Sequence, residues 1–225
     1  MTVTTVRFVW ATPNANALLC DIARVSNPKG QAGEVAVQPD EKLISYLIRN
    51  GHWSPFEMVS MCLEINTSRD IGRQILRHRS FSFQEFSQRY ADVEVLGSPV
   101  TREPRLQDPR NRQSSFPFDD PRSGLSISDA LATEEWWASA QDNTWRNAMQ
   151  YYQTALSMGI AKEQARALLP EGMTPTRMYM AGTIRSWIHY TIERTKAGTQ
   201  YEHQQIAQLA RNLLWEVIPA LKGIE

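Results

Sequence analysis

Arg77-His78-Arg79-Ser80-Phe81-Ser82-Phe83-Gln84-Glu85-Phe86-Ser87-Gln88-Arg89-Tyr90 is the stretch from which the rest of the chain is read. Its fourteen residues hold three arginines, a histidine, three serines, one carboxylate and a tyrosine, with no glycine or proline to mark an ordinary turn. Three guanidiniums this close together repel one another unless an anion sits among them, and Glu85 is the only local acid. A guanidinium fork grips phosphate through paired N–H bonds, and hydroxyls and backbone amides complete such a cradle. The competing reading is a solvated helix end whose arginines pair with acids elsewhere, and composition alone leans towards it.

Upstream of this stretch, Thr67-Ser68 can cap a helix from Arg69 to about His78, with Ile71, Ile75 and Leu76 facing inward. Gln74, Arg77 and His78 then lie within one turn and can point at a common ligand. Met58–Asn66 alternates Val59, Met61, Leu63 and Ile65 against Ser60, Cys62, Glu64 and Asn66, which predicts a strand. Gly51-His52-Trp53-Ser54-Pro55-Phe56-Glu57 is a loop bracketed by glycine and proline. By itself His52 reads first as a structural histidine. A helix from about Asp40 to Asn50 carries Leu43, Tyr46 and Leu47 as its buried stripe. At the start of the chain, Thr2–Trp10 alternates as a strand. Pro13-Asn14 opens a helix with Ala17, Leu18, Ile22 and Ala23 on one face, followed by the loop Asn27-Pro28-Lys29-Gly30.

Downstream, Ser98–Ser123 mixes five prolines with Arg102, Arg105, Arg110 and Arg112 and reads as a surface loop or hairpin with solvated arginines. A long helix is predicted over Ser128–Met158, with Trp136, Trp137, Trp145, Met149, Tyr152 and Leu156 as core or subunit-interface groups. Lys162–Leu169 forms a short helix stopped by Pro170, and Gly172–Thr176 breaks the chain again. Helices follow over Tyr179–Arg194 and Gln200–Val217. The fold class is α+β: one domain of helices flanking a small sheet.

The 225 residues carry 24 basic and 24 acidic side chains, a balance that argues against a general nucleic-acid or membrane-surface binder. Among the basic residues 19 are arginine, a skew that fits phosphate recognition and equally fits a GC-rich genome. Cys20 and Cys62 sit among apolar neighbours and read as buried thiols in a reducing compartment. No apolar run suits a membrane span and no signal peptide is evident, so a cytoplasmic location is expected. No G-x-G-x-x-G, P-loop, nucleophile elbow or metal-ligand spacing occurs, so no metal site is expected and an anion must be held by guanidiniums. Arg77, Arg79, Arg89, Arg166, Arg185 and Arg194 are the candidates. Ser87 has no evident histidine–carboxylate pair to activate it and reads as a hydrogen-bonding contact, not a nucleophile.

The spacing Arg77-His78-Arg79-x-x-Ser82-x-x-x-x-Ser87-x-Arg89-Tyr90 resembles the signature of the flavin-dependent thymidylate synthases. Further motifs of that family are matched in order by Ala23-Arg24-Val25-Ser26, Gly51-His52 with Ser54-Pro55-Phe56-Glu57, Gln74, Ala165-Arg166-Ala167-Leu168-Leu169-Pro170, Arg185-Ser186-Trp187-Ile188-His189-Tyr190 with Arg194, and then Gln200 and Glu202. The resemblance implies reductive methylation of dUMP to dTMP with FAD, NADPH and 5,10-methylenetetrahydrofolate, in a mixed α+β homotetramer whose sites are shared between subunits. It implies FAD contacts from Ser54, Arg77, His78, Arg79, Glu85, Thr183, Ile184, Arg185 and His189. For the nucleotide it implies Gln74, Ile75, Leu76, Arg77, Glu85, Phe86, Ser87, Gln88, Arg89, Arg166 and Arg194. His52 matches a position near the flavin edge where folate approaches, and Arg194 one held to favour ionisation at N3 of the uracil.

Two departures stand out: Gln84 replaces the family's usual asparagine, and Lys196-Ala197-Gly198 lacks a histidine that some members carry. The alternatives are a related flavoenzyme that hydroxymethylates dUMP or modifies another pyrimidine nucleotide, a nucleic-acid module, and a helical interaction protein without chemistry.

Overall fold

A computed structural model describes residues 4–25 and 40–222. Thr2, Val3, Ser26 and the loop expected at Asn27–Gly30 lie outside the described residues.

A four-stranded antiparallel sheet runs in the order β1 (Thr5–Ala11), β2 (Ser60–Ser68), β6 (Pro175–Thr183), β3 (Phe81–Glu85). The alternation read in β2 aims Met61, Leu63 and Ile65 into the core beside Met178 and Met180 of β6. Its other face is less open than the pattern predicts, because Cys62 and Glu64 are also buried. Flanking strands shield that face: Arg7 and Tyr179 stand opposite Glu64 in register. Arg7 donates to the Glu64 carboxylate at 2.8 Å and, with Tyr179, holds it down at a pKa of about 2.

The core face is covered by α1 (Ala15–Ala23), α3 (Arg69–Ile75), α6 (Ile184–Arg194) and α7 (Tyr201–Val217), with α2 (Glu41–Arg49) alongside. In α7 the residues His203, Ile206, Ala207, Ala210 and Leu214 are buried at helical spacing, as the amphipathic pattern requires. Three expected faces are offset. In α1 the buried residues are Ala15, Leu19 and Cys20, with Leu18 and Ala23 at the rim. In α2 the ridge is Ile44 and Leu47, and Tyr46 is exposed. Helix α3 stops at Ile75, so Leu76 turns outward.

The largest correction concerns the helix expected over Tyr179–Arg194, which begins only at Ile184. Residues 175–183 form β6, hydrogen-bonded to β2 on one side and β3 on the other. Thr183 ends the strand and starts α6, its hydroxyl accepting from the Ser186 N–H at 3.2 Å. A central strand is stabilised by partners distant in sequence, and local periodicity carries no record of them.

The proline- and arginine-rich segment includes a hairpin, β4 (Arg105–Gln107) with β5 (Ser115–Pro117). One of its arginines is not solvated as expected: Arg102 makes two bonds to the Asp70 carboxylate, at 2.7 and 2.6 Å. The carbonyl of Arg102 accepts from Trp137 Nε1 on the long helix α4 (Ile127–Ser157). Only Tyr152 and Ala155 of α4 are buried, and Trp136 stays 65% exposed. The expected Lys162–Leu169 helix is α5 (Lys162–Ala165) continued by a 3-10 turn, Arg166–Leu168. Both cysteines are free and buried. Among the described residues no helix is long and apolar enough to cross a membrane.

Candidate active site

The decisive turn follows α3. The N–H groups of Arg77 and His78 bond back to the carbonyls of Gln74 and Ile75, and Phe81 N–H then bonds to the His78 carbonyl as β3 begins. Phe81 pins this turn: its ring lies over Gly182 of β6 and stands edge-on to Trp187 at 4.8 Å and to Tyr190 at 5.9 Å. The Arg77-His78-Arg79 run is thereby split. Arg77 and Arg79 are exposed, with no side-chain partner among the described residues, while His78 is half-buried.

Beneath the turn, Arg194 at the end of α6 donates from Nε to His78 Nε2 at 2.9 Å. Only a neutral imidazole can accept there, so the His78 proton sits on Nδ1. Burial, reinforced by the Arg194 charge and by His189, lowers the His78 pKa to about 4. His78 also meets Tyr190 edge-on at 4.9 Å. Tyr190 reaches His203, and His203 reaches Gln74, so residues from α3, α6 and α7 form one polar cluster under the turn.

A second group gathers at the N-terminus of α6. Glu57 receives Arg185 at 2.7 Å and the Thr183 hydroxyl at 2.9 Å. These bonds, Arg185 first, keep its carboxyl below the usual range. His52 and Ser54 are exposed on the same loop, and His52 stands edge-on to Tyr46. Ser186 donates to the Ser80 carbonyl at 3.3 Å, joining this group to the arginine turn.

Glu85 is not directed at the Arg77–Arg79 turn. It accepts from the Thr176 hydroxyl at 2.7 Å and lies 3.7 Å from Arg69. Ser87, Gln88 and Arg89 form a further group, in which Arg89 pairs with Glu163 at 3.4 Å and Arg166 donates to the Glu163 carbonyl. Gln88 is buried, with its Nε2 unpartnered among the described residues. No hydrogen bond or ion pair among the described residues joins this group to Arg194.

One chain thus links Gln74, His78 and Arg194 through one cluster, gathers Thr183 and Arg185 on Glu57, and pairs Arg89 and Arg166 with Glu163. Ile75 and Ile184 are fully buried in the core, so their side chains have no route to a ligand. Leu76 is exposed and Phe86 half-buried. Gln84 is exposed on β3 opposite Tyr179, where one extra methylene disturbs no core packing. Sequence reasoning did not single out Tyr190, His203, Thr176 or Arg69 as site residues; Tyr190 entered only as the end of the motif that begins at Arg185.

Chemically, two uncommitted guanidiniums on one turn, above a neutral histidine that engages a third, can grip phosphorylated ligands. Residues 7–220 match the model of the thymidylate synthase complementing protein family. The chain is 44% identical over 92% of its length to a probable flavin-dependent thymidylate synthase of Paramecium bursaria Chlorella virus 1, of which 88% is covered. It is also 44% identical over 91% of its length to the flavin-dependent thymidylate synthase of Synechocystis sp., with 86% of that protein covered. A UMP/dUMP methylase from Streptomyces cacaoi, solved with 5-Br dUMP, shares the fold with a TM-score of 0.73 and 24% identity, over 98% of this chain and 93% of that one. The chain belongs to the thymidylate synthase complementing protein family.

Proposed function

We propose that this protein is a flavin-dependent thymidylate synthase. It converts dUMP to dTMP by reductive methylation, with 5,10-methylenetetrahydrofolate as carbon donor, NADPH as reductant and FAD as cofactor. The observation that carries the reading is the Arg194–His78 contact directly beneath the exposed Arg77 and Arg79.

The residues present fit an FAD. Arg77 and Arg79 are free to take its pyrophosphate, with Thr183, Arg185 and His189 on the element joined to that turn, Ser54 exposed on the loop that carries Glu57, and His78 neutral beneath. Bound FAD supplies the hydride that reduces the transferred one-carbon unit. The protein supplies position and charge. Arg194 spends Nε on His78 and keeps both terminal nitrogens for the uracil, where a cation beside N3 stabilises the anion and enriches C5. Gln74 and Ser87 offer hydrogen bonds to the same nucleotide, Arg89 and Arg166 hold its phosphate, and His52 faces the approaching folate.

A homotetramer suits the division of the arginines, with Arg89 and Arg166 gathered on Glu163 and Arg194 on His78, since neighbouring chains would complete each site. The exposed Leu131, Trp136 and Tyr151 of α4 supply apolar surface for such contacts. The chain acts as one domain in the cytoplasm and needs no metal, nucleic acid or membrane. Flavin absorption of the purified protein, with and without dUMP, tests the reading. Yellow protein that oxidises NADPH faster with dUMP and yields dTMP by mass spectrometry is expected. Colourless protein that cannot be reconstituted with FAD refutes it, and hydroxymethyl-dUMP as product would replace methylation by hydroxymethylation.

A further inference from the structure

Under the arginine turn a file of side chains leads away from the site. His203 Nε2 lies 3.2 Å from the Tyr190 hydroxyl, and His203 Nδ1 lies 3.3 Å from Gln74 Oε1. Gln74 Nε2 meets Gln200 Oε1 at 2.6 Å, and Gln200 Nε2 meets Glu202 Oε2 at 2.9 Å. Each amide and imidazole could in principle face either way. The last member cannot, because an ionised carboxylate only accepts.

That end decides every other bond. Glu202 accepts, so Gln200 must donate through its amide nitrogen and offer its oxygen to Gln74. Gln74 therefore turns its nitrogen to Gln200 and its oxygen to His203. His203 must then carry its proton on Nδ1, which leaves Nε2 to accept from the Tyr190 hydroxyl. His203 is 1% exposed, and burial lowers its pKa to about 4, so it is neutral as this order requires. Glu202 also pairs with Arg102, whose Nε is 3.7 Å away. The consequence falls on Gln74, which keeps one uncommitted Nε2–H on its nitrogen side. Uracil carbonyls and phosphate oxygens are acceptors, and such a donor matches them.

We infer that Glu202 and His203 are positioning residues that fix the amide of Gln74 in the single orientation able to donate to the pyrimidine nucleotide. The inference rests on the nucleotide reading above, but its first test does not need the nucleotide. Nitrogen-detected NMR of the histidines in the ligand-free protein should show His203 as the neutral Nδ1–H tautomer from about pH 6 to pH 8. An Nε2–H tautomer or a cationic ring overturns the inference, whether or not dUMP binds.

The second test is calorimetric titration with dUMP. An asparagine nitrogen can stand near His203 Nδ1, whereas a glutamine nitrogen stands near Nε2. His203→Asn should therefore keep dUMP affinity within about twofold, while His203→Gln and Glu202→Gln should each weaken it by about tenfold, the worth of one hydrogen bond. In steady-state kinetics the loss should fall on KM for dUMP more than on kcat. Equal affinities for His203→Asn and His203→Gln, or wild-type affinity in Glu202→Gln, overturn the inference. Failure of the unaltered protein to bind dUMP instead overturns the proposed function.

Discussion

Gly182→Ala puts the packing of the arginine turn to the test. A Cβ built at Gly182 would lie 2.5, 2.8 and 3.2 Å from Cδ1, Cε1 and Cγ of Phe81. Those are ring atoms, not the tip of a flexible chain, so the whole ring must move. It has little freedom: Phe81 is 9% exposed and stands edge-on to Trp187 and Tyr190. Overpacking of this kind costs about 1–3 kcal/mol, and the reduced freedom of the unfolded chain returns about 0.4–1 kcal/mol. The net loss of about 0.5–2 kcal/mol lowers Tm by about 1–8 °C for a chain of this size. Thermal melts and urea midpoints measure it. Gly172→Ala is the control, since its Cβ would meet nothing closer than 3.9 Å. Adding Phe81→Leu should shrink the Gly182→Ala penalty, because a smaller side chain leaves room for the methyl. Gly182→Ala protein as stable as the parent, or a penalty unchanged beside Leu at 81, would refute the reasoning.

Arg194→Ala should lower kcat/KM for dUMP by about 100-fold, and Arg194→Lys should not restore it, because lysine cannot both donate to His78 and present a fork; steady-state NADPH oxidation measures both. Arg102→Ala should destabilise by about 1–2 kcal/mol in urea melts, discounted for the 21% and 30% side-chain exposure of Arg102 and Asp70, and should speed proteolysis within residues 98–123. His78 and His203 are held near pKa 4 against an ordinary 6.5, so the unfolded chain binds more protons between those values. Their contribution is complete above pH 6.5 and is lost as pH falls towards 4; urea midpoints across that window should decline, and less steeply in His203→Asn. Glu64 acts in the same direction at lower pH, with a pKa depressed to about 2 from 4.5, so its stabilisation holds above 4.5 and fades below. Glu64→Gln should flatten the acid limb below pH 4.5.

Several elements were legible because their burial pattern is local. Period-two alternation located β1 and β2, and helical spacing located α2, α4 and α7 to within a residue or two at most ends. The arginine signature and its companion motifs carried the family, because those residue types answer to ligand chemistry and recur at set spacings. Other features depended on partners far along the chain. Residues 179–183 are strand because β2 and β3 bond to both edges of β6, and no local window contains those strands. Arg102 looked solvated until Asp70 and Glu202 came within reach.

By themselves, the spacing of residues 77–90 and its companion motifs determined the family, and a chain without a G-x-G-x-x-G or P-loop left guanidiniums as the candidates for holding an anion. Only the tertiary structure decided that His78 turns inward while Arg77 and Arg79 face out, and that His203, 129 residues beyond Gln74, orients its amide. The reason is directional. A sequence lists donors and acceptors, but which way a buried amide or imidazole points is settled by the neighbour that can only accept, and folding chooses that neighbour.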